Sequence, residues 1–387
     1  MKIACIATSR VPSDTANSIQ VMKACKALAG LGHTVHLLVP EHEAVQQSSP
    51  PAWSELGSYY GLGVIPGASP AFQVDWLRAK LKLRRYDFSY LAVQRALTLK
   101  VDIVYSWALQ AGVFALLMGL PVIHELHGEP EGKFGPLAFR AFLRLPGPKR
   151  LMPITKALAD YLSKMYKWSY LPGQVVIAPN GVDLERYVNL PSPQEARQEL
   201  GLPEGTTAGY TGHLYPGRGI GLLVELARRY PQVQFLWVGG RPADVSYWKA
   251  HLEAEALHNV KLVGFVENSR LPVYQAAMDI LLMPYERQIE GSSGGNSADF
   301  CSPMKMFEYM ACERAIISSD LPVIREVLND TNAVLCPPED AAAWSDALGA
   351  LLADPNRAKV LASAARQSVQ AYTWQARAER ALAGFPR

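Results

Sequence analysis

Short apolar runs alternate along this chain with longer segments in which apolar residues recur every three or four positions. The runs have the length and β-branched composition of buried strands, and the longer segments have the periodicity of helices. We predict strands at residues 2–8, 35–39, 101–106, 121–123, 175–178, 207–212, 235–239, 260–265, 280–284 and 315–320, and helices at residues 18–31, 108–118, 220–230 and 304–311. Such alternation is typical of α/β proteins with parallel sheets.

Residues 72–85 carry a helical pattern with two distinct faces. The apolar face would consist of Phe72, Trp76, Ala79 and Leu83, and the basic face of Arg78, Lys82 and Arg85. A basic amphipathic helix can lie on an anionic membrane surface, which would make the protein peripheral to the inner face of the membrane. The alternative is the solvated face of a packed surface helix, which is the commoner origin of such a charge pattern.

The composition is that of a globular protein, with 49% hydrophobic and 19% charged residues in 387 positions, enough for two domains with separate cores. The net charge of +3 is too small to indicate nucleic acid as a partner. No apolar run approaches the roughly 18 residues that span a bilayer. No cleavage site follows the first strand, so we expect a cytoplasmic protein. The five cysteines are widely spaced and odd in number, which predicts neither a disulfide framework nor a CxxC metal site.

The strongest chemical signal lies between Asp299 and Val327. A glycine-rich loop at residues 291–296 leads to Ser302-Pro303, where a helix is predicted to begin. The first turn of a helix offers unpaired backbone N–H groups and the positive end of the helix dipole, which suit a phosphate group. Lys305 in this turn has the wrong sign to stabilise the helix, so it fits an external anion better. We therefore predict half of a nucleotide site here.

A second strand, glycine-rich loop and helix start follow the same plan at residues 207–220. The strand ends at Gly212, and the loop carries His213 and Arg218 before the helix begins. The first β-α turn of the chain differs, because no glycine precedes Gly30. It therefore lacks the G-x-G-x-x-G pattern of dinucleotide-binding proteins, which argues against an NAD-dependent dehydrogenase.

A polar cluster at residues 124–129 follows the predicted strand at 121–123. Ligands of parallel sheets collect beyond the carboxyl ends of the strands, so His127 is our leading candidate in this cluster for contact with a substrate. Glu125 or Glu129 could orient an acceptor hydroxyl or act as general base. The spacing of His124 and His127 suits no standard zinc site, so we expect no metal.

The run SPMKMFEYMACERAIISSDLPVIREV at residues 302–327 resembles the donor-binding motif of glycosyltransferase family 4, and PNGVD at residues 179–183 resembles a second family signature. The resemblance implies the GT-B fold, two doubly wound Rossmann-like domains facing across a cleft. It also implies retaining transfer of a glycosyl group, hexosyltransferase-like, from a nucleotide-sugar donor to a hydroxyl of a glycan, lipid or small molecule, without a cofactor. We expect an acceptor-binding domain at residues 1–190, a linker at 191–205, a donor-binding domain at 206–370, and a helix at 371–387 that returns to the N-terminal domain.

The resemblance also assigns roles to single residues. Glu308 matches the family's second motif Glu, which binds the ribose hydroxyls, while Phe300 stands at the place of the first Glu and Asp299 is its candidate substitute. Arg218 and Lys305 would stabilise the leaving diphosphate, and His127 would contact the donor sugar or the reacting oxygens. The remaining donor-side candidates are Gly212, His213, Phe265 near the base, the backbone amides of Cys301, Ser302 and Met304, and Asn17 and Ser18 in the first loop, where a helix cap is the alternative.

Two other functions fit parts of this pattern. A nucleotide-sugar epimerase of the same fold would require a motif different from SPMKMFEYM. A nucleotide-sugar-binding protein without catalysis is favoured slightly by the missing first Glu. Slow hydrolysis of a nucleotide-sugar without acceptor would distinguish an enzyme from a pure binder.

Overall fold

The computed structural model describes residues 1–42, 50–63, 70–79, 85–130, 132–289, 296 and 298–386. The chain divides into two compact units. The first contains Met1–Asn180 and the C-terminal segment from Trp374, and the second contains Gly181–Thr373. Each unit has its own buried hydrophobic core.

The first unit is built on a six-stranded parallel sheet in the order β3-β2-β1-β4-β5-β6. Helices cover both faces, so the central strands are buried from end to end. The strands are β1 Lys2–Ile6, β2 Thr34–Pro40, β3 Gln73–Leu77, β4 Ile103–Ser106, β5 Val122–Leu126 and β6 Lys149–Pro153. The helices are α1 Ala16–Gly30, α2 Trp53–Tyr60, α3 Arg85–Leu99, α4 Leu109–Leu117, α5 Gly135–Arg144, α6 Lys156–Tyr166 and the C-terminal α14 Trp374–Leu382, which packs on α1.

The second unit repeats this topology with strand order β12-β11-β10-β7-β8-β9. Its strands are β7 Thr207–Thr211, β8 Gln234–Val238, β9 Val260–Gly264, β10 Ile280–Met283, β11 Ala315–Ser319 and β12 Val334–Cys336. Its helices are α7 Pro193–Leu200, α8 Ile220–Arg229, α9 Pro242–Ala254, α10 Leu271–Ala276, α11 Met304–Cys312, α12 Ala341–Ala353 and α13 Pro355–Ser368. The predicted α/β class, parallel sheets and return of the last helix to the first unit are confirmed.

The predicted amphipathic helix at residues 72–85 is wrong. Residues Gln73–Leu77 form the edge strand β3, paired in parallel with β2. Phe72, Val74 and Trp76 pack against the core of the first unit, so contact with the core recurs at every second residue. Arg78 is exposed and lies 3.9 Å from the Glu41 carboxylate, whereas Lys82 and the side chain of Arg85 lie outside the described residues. The described residues 72–79 of this segment therefore contain no basic helical face for membrane contact.

The segment predicted as a linker contains the helix α7. Ser192 caps it and exchanges hydrogen bonds with Glu195, and Arg197 pairs with Asp279 at 3.1 Å. Pro193 is the first residue of this helix, a position where proline is well tolerated. In the described part of the chain all five cysteines are free thiols, and no helix is long and apolar enough to cross a bilayer.

Candidate functional site

The predicted phosphate site lies where the strand order of the second sheet reverses, between β7 and β10. This is where ligands bind in doubly wound sheets, because the chains leave neighbouring strands in opposite directions and open a crevice. Two glycines in the loop after β7 leave room for groups that pack closely against this loop. Gly212 has φ +140°, and a Cβ there would lie 2.6 Å from Lys305 Nζ, while a Cβ on Gly219, at φ +70°, would collide with the Pro284 carbonyl oxygen.

Arg218 and Lys305, the predicted phosphate ligands, meet at this crevice around a shared tyrosine. The guanidinium of Arg218 lies over Tyr285 at 5.1 Å and donates to the Tyr215 hydroxyl at 2.7 Å. Lys305 Nζ lies 3.8 Å from the ring centre of Tyr210 and 5.3 Å from that of Tyr285. Within the described residues, neither cation forms an ion pair with a carboxylate.

Within the described residues, the positive charges at this crevice are balanced only in part. Burial raises the pKa of Tyr285 to about 12 and that of Tyr210 well above its usual value, so both phenols are neutral and supply no negative charge to the two cations. Burial and then the charge of Arg218 lower the pKa of Lys305 well below its usual range, and Glu308 opposes this only in part. An anion bound beside both cations would remove this repulsion.

Glu308 lies one turn after Lys305 on α11, and neighbouring side chains hold its carboxylate in place. The amide of Gln275 donates to Glu308 Oε2 at 3.2 Å and approaches the Thr211 hydroxyl at 3.4 Å. The Tyr187 hydroxyl donates to Gln275 Oε1 at 2.9 Å, which fixes the orientation of the buried amide. Sequence reasoning missed Gln275 and Tyr187, because neither carries a motif or a periodic signal.

The start of α11 agrees with the sequence prediction, with Pro303 at the N-cap and Met304 as the first helical residue. Ser302 is buried, Phe300 is half-buried and Asp299 is exposed. Cys301 lies close enough to Arg218 for that charge to act on its thiol, although burial dominates and raises the thiol pKa to about 12. Residues 290–295 and 297 of the preceding loop lie outside the described residues.

The other donor-side candidates fall in different surroundings. His213 stacks on Tyr215 with ring centres 5.2 Å apart, next to Arg218, and Phe265 is about half exposed just after β9. Asn17 is exposed in the first turn of α1. Ser18 is fully buried, donating to the Arg10 carbonyl at 2.7 Å and bonding the Tyr60 hydroxyl, so its hydroxyl is used within the fold rather than facing a ligand.

In the first unit, the predicted polar cluster lies at the carboxyl end of β5, which itself contains His124 and Glu125, and it is organised around Glu125. Its carboxylate is buried, and His127 Nε2 lies 2.6 Å from Oε1. Arg377 of α14 pairs with the same carboxylate at 2.6 Å. Because the carboxylate is enclosed in this way, Glu125 is better suited to holding other side chains in place than to the predicted role of general base. Sequence reasoning missed Arg377 altogether.

The remaining members of this cluster are not arranged as a metal site. His124 is buried, its Nδ1 lies 3.0 Å from the Ser106 carbonyl oxygen, and burial lowers its pKa to about 4, so it is neutral at physiological pH. Glu129 is exposed and accepts a hydrogen bond from Tyr161 at 2.7 Å. Among the described residues, no group of three or more His, Cys, Asp or Glu side chains is placed to hold a metal ion.

Comparison with known proteins gives a family match within each of the two units. A family profile described as "Glycosyltransferase Family 4" matches residues 18–186, and one described as "Glycosyl transferases group 1" matches residues 205–354. The chain is 26% identical to D-inositol 3-phosphate glycosyltransferase from Xylanimonas cellulosilytica, over 92% of this chain and 88% of that protein. It is similar in structure to sucrose-phosphate synthase from Thermosynechococcus elongatus, with TM-score 0.73, 21% identity and coverage of 97% of this chain and 96% of that one. Anabaena HepE in complex with UDP gives TM-score 0.71 at 18% identity, with 98% of each chain covered.

Proposed function

This chain belongs to glycosyltransferase family 4, has the GT-B fold, and transfers a sugar with retention from a nucleotide-sugar donor, and we propose which of its residues takes each role in this reaction. Arg218 and Lys305 bind the diphosphate of the donor. The observation that carries this proposal is the pair of neighbouring basic side chains, neither of which forms an ion pair with a carboxylate of the described residues. A diphosphate supplies the missing negative charge.

The same two cations stabilise the leaving group. When the bond from the sugar to the diphosphate breaks, negative charge develops on the departing phosphate oxygen. Charges already in place next to that oxygen lower the barrier, because they need no rearrangement as the reaction proceeds. Glu308 accepts hydrogen bonds from the ribose hydroxyls, and the Gln275 amide keeps its carboxylate in position.

The donor sugar is bound at the start of α11. Phe300 cannot accept a hydrogen bond from a sugar hydroxyl, so we assign this contact to the backbone N–H groups of Cys301, Ser302 and Met304, or to Asp299. Pro303 has no N–H to contribute. Residues 206–370 thus bind the donor, while residues 1–190 bind a hydroxyl acceptor, with His127 at the donor sugar or the reacting oxygens. The cytoplasmic location stays a prediction.

Nucleotide binding by charge variants tests the phosphate ligands. We use UDP as the probe because it is the nucleotide bound in the Anabaena HepE complex. We expect Arg218→Ala and Lys305→Ala each to weaken UDP binding by roughly 1.5–3 kcal/mol, about tenfold to a hundredfold, because each removes a charge-assisted contact. Lys359→Ala on the exposed face of α13 is the matched control and should bind normally. Titration calorimetry on folded variants measures the affinities, and normal affinity in both test variants would refute the assignment.

Donor turnover tests the activity itself. Incubation with a nucleotide-sugar and no acceptor should release free sugar slowly, which a binding protein would not do. An epimerase would instead convert the donor to an isomer with the diphosphate still attached. Chromatography of the products separates these outcomes.

A further inference from the structure

The carboxylate of Glu125 lies at the carboxyl end of β5 and contacts side chains from distant parts of the chain. Tyr105 of β4 donates its hydroxyl hydrogen to Oε2 at 2.6 Å, and the Gln20 amide of α1 donates to Oε1. Arg377 of α14 contacts both carboxylate oxygens, at 2.6 and 3.0 Å. His127 completes the group through Nε2 at 2.6 Å from Oε1.

This carboxylate is held in its charged form. Burial by itself would raise the pKa of Glu125, but the charge of Arg377 and the hydrogen bonds from His127 and Arg377 outweigh burial, so the pKa lies well below its usual range. Arg377 is equally enclosed, and its other N–H groups donate to the carbonyl oxygens of Ala178 and Pro179. A buried ion pair with its remaining groups hydrogen-bonded in this way keeps a fixed geometry.

An ionised carboxylate only accepts hydrogen bonds, so the Nε2 atom of His127 that faces it must carry the hydrogen. In the neutral imidazole this leaves the lone pair on Nδ1. The His127 side chain is 28% exposed, whereas Glu125 is fully enclosed. Gln20, Tyr105 and Arg377 are also buried, so of this group only His127 can present a polar atom to a ligand.

We propose that Glu125 and Arg377 are positioning residues that hold His127 as its Nε2–H tautomer, so that Nδ1 accepts a hydrogen bond from a hydroxyl of the donor sugar or the acceptor. This rests on the proposed contact between His127 and the reacting groups. The C-terminal helix α14 thereby takes part in the function of the first unit, because Arg377 is the positive charge that keeps Glu125 ionised inside the protein. A hydroxyl that donates to Nδ1 is oriented with its oxygen lone pairs free for other contacts.

Nitrogen NMR of the full-length protein tests the tautomer directly. Long-range proton–nitrogen correlation should show His127 with a protonated Nε2 and an unprotonated Nδ1 near neutral pH, with His127→Ala used to assign the signals. The reverse tautomer, or a ring protonated on both nitrogens at that pH, would overturn the proposal. This measurement needs no variant of Glu125 or Arg377 to fold.

Kinetics test whether the positioning matters for transfer. The double variant Glu125→Gln/Arg377→Met removes both buried charges together while keeping similar volumes, which is the change a buried pair best tolerates. We expect kcat for sugar transfer to fall at least about tenfold, because a wrong tautomer removes the acceptor atom, and UDP affinity to stay normal. Glu379→Gln, which removes an exposed carboxylate of α14, should leave both unchanged.

The outcomes separate this inference from the proposed function. A folded double variant with wild-type kcat shows that the ion pair is only structural. If His127→Ala keeps wild-type transfer while NMR shows the expected tautomer, His127 does not contact the reacting groups and the inference fails through that premise. Loss of UDP binding in Arg218→Ala and Lys305→Ala would still support the donor site in either case.

Discussion

The ammonium group of Lys305 is poorly solvated and faces a second cation, Arg218, and both conditions lower its pKa. The negative charge of a bound diphosphate would outweigh the repulsion from Arg218, so binding should raise the pKa of Lys305 and take up protons. Above about pH 7, where phosphate is fully ionised, we expect UDP affinity to fall as the pH rises through the lowered pKa of Lys305. Lys305→Arg should abolish this dependence, since arginine stays protonated.

Titration calorimetry in two buffers of different ionisation enthalpy measures this proton uptake. The number of protons taken up by the wild-type protein should exceed that of Lys305→Arg at pH values between the lowered pKa of Lys305 in the free protein and its higher pKa in the complex. Equal numbers in the two proteins would mean that Lys305 is charged before the ligand arrives or does not contact it.

Glu308 offers a second test at the scale of one residue. Glu308→Gln replaces part of an acceptor by a donor and should weaken UDP binding about tenfold with little change in melting temperature. Pyrophosphate has no ribose, so its affinity should be unaffected by Glu308→Gln yet reduced by Lys305→Ala. The exposed Glu253→Gln on α9 serves as control. If pyrophosphate binding falls as much as UDP binding, the carboxylate acts on the phosphates or on the fold instead.

At the scale of elements, the loop between β7 and α8 depends on Gly219. It adopts φ +70° directly before α8, and any Cβ would collide with the carbonyl of Pro284 after β10. Gly219→Ala should therefore cost more stability than the roughly 1 kcal/mol of a left-handed alanine alone. Gly201 after α7 has φ +61° with nothing within 4 Å, so Gly201→Ala is a matched control. Urea unfolding compares the two, and equal losses would argue against the close approach.

Sequence periodicity misassigned β3, and it also predicted a strand at residues 175–178, where the structure has only an isolated bridge between Leu151 and Val175. Phe72 and Trp76 are four residues apart, a spacing that satisfies both the period of a helix and that of a strand. Val74, two residues from each of them, also packs on the core. Only a strand places all three side chains on the same face. A strand at the sheet edge has only one neighbour, so its sequence carries a weaker strand signal than the buried central strands.

At the scale of the whole molecule, Glu125 and Arg377 join positions far apart in the chain. The folded carboxylate keeps its charge at pH values where an unfolded glutamate, with pKa about 4.3, becomes protonated. Its contribution to stability is thus fully present above about pH 4.3 and is lost as the pH falls below it. We expect calorimetry to show a smaller loss of melting temperature between pH 5 and pH 3 in Glu125→Gln/Arg377→Met than in the wild-type protein. A parallel decline in both would assign the acid sensitivity to other carboxylates.

The sequence by itself determined the α/β class, most of the strands, several of the helices, the start of α11, and Arg218, Lys305 and Glu308 as candidates. These depend on local periodicity, on helix-start chemistry and on a family motif, all readable within a short window of residues. Only the tertiary structure decided that Tyr285 lies beside both cations, that Gln275 orients Glu308, and that Arg377 meets Glu125. Those contacts join residues far apart in sequence, and their energies come from burial and charge in three dimensions, which no local pattern encodes.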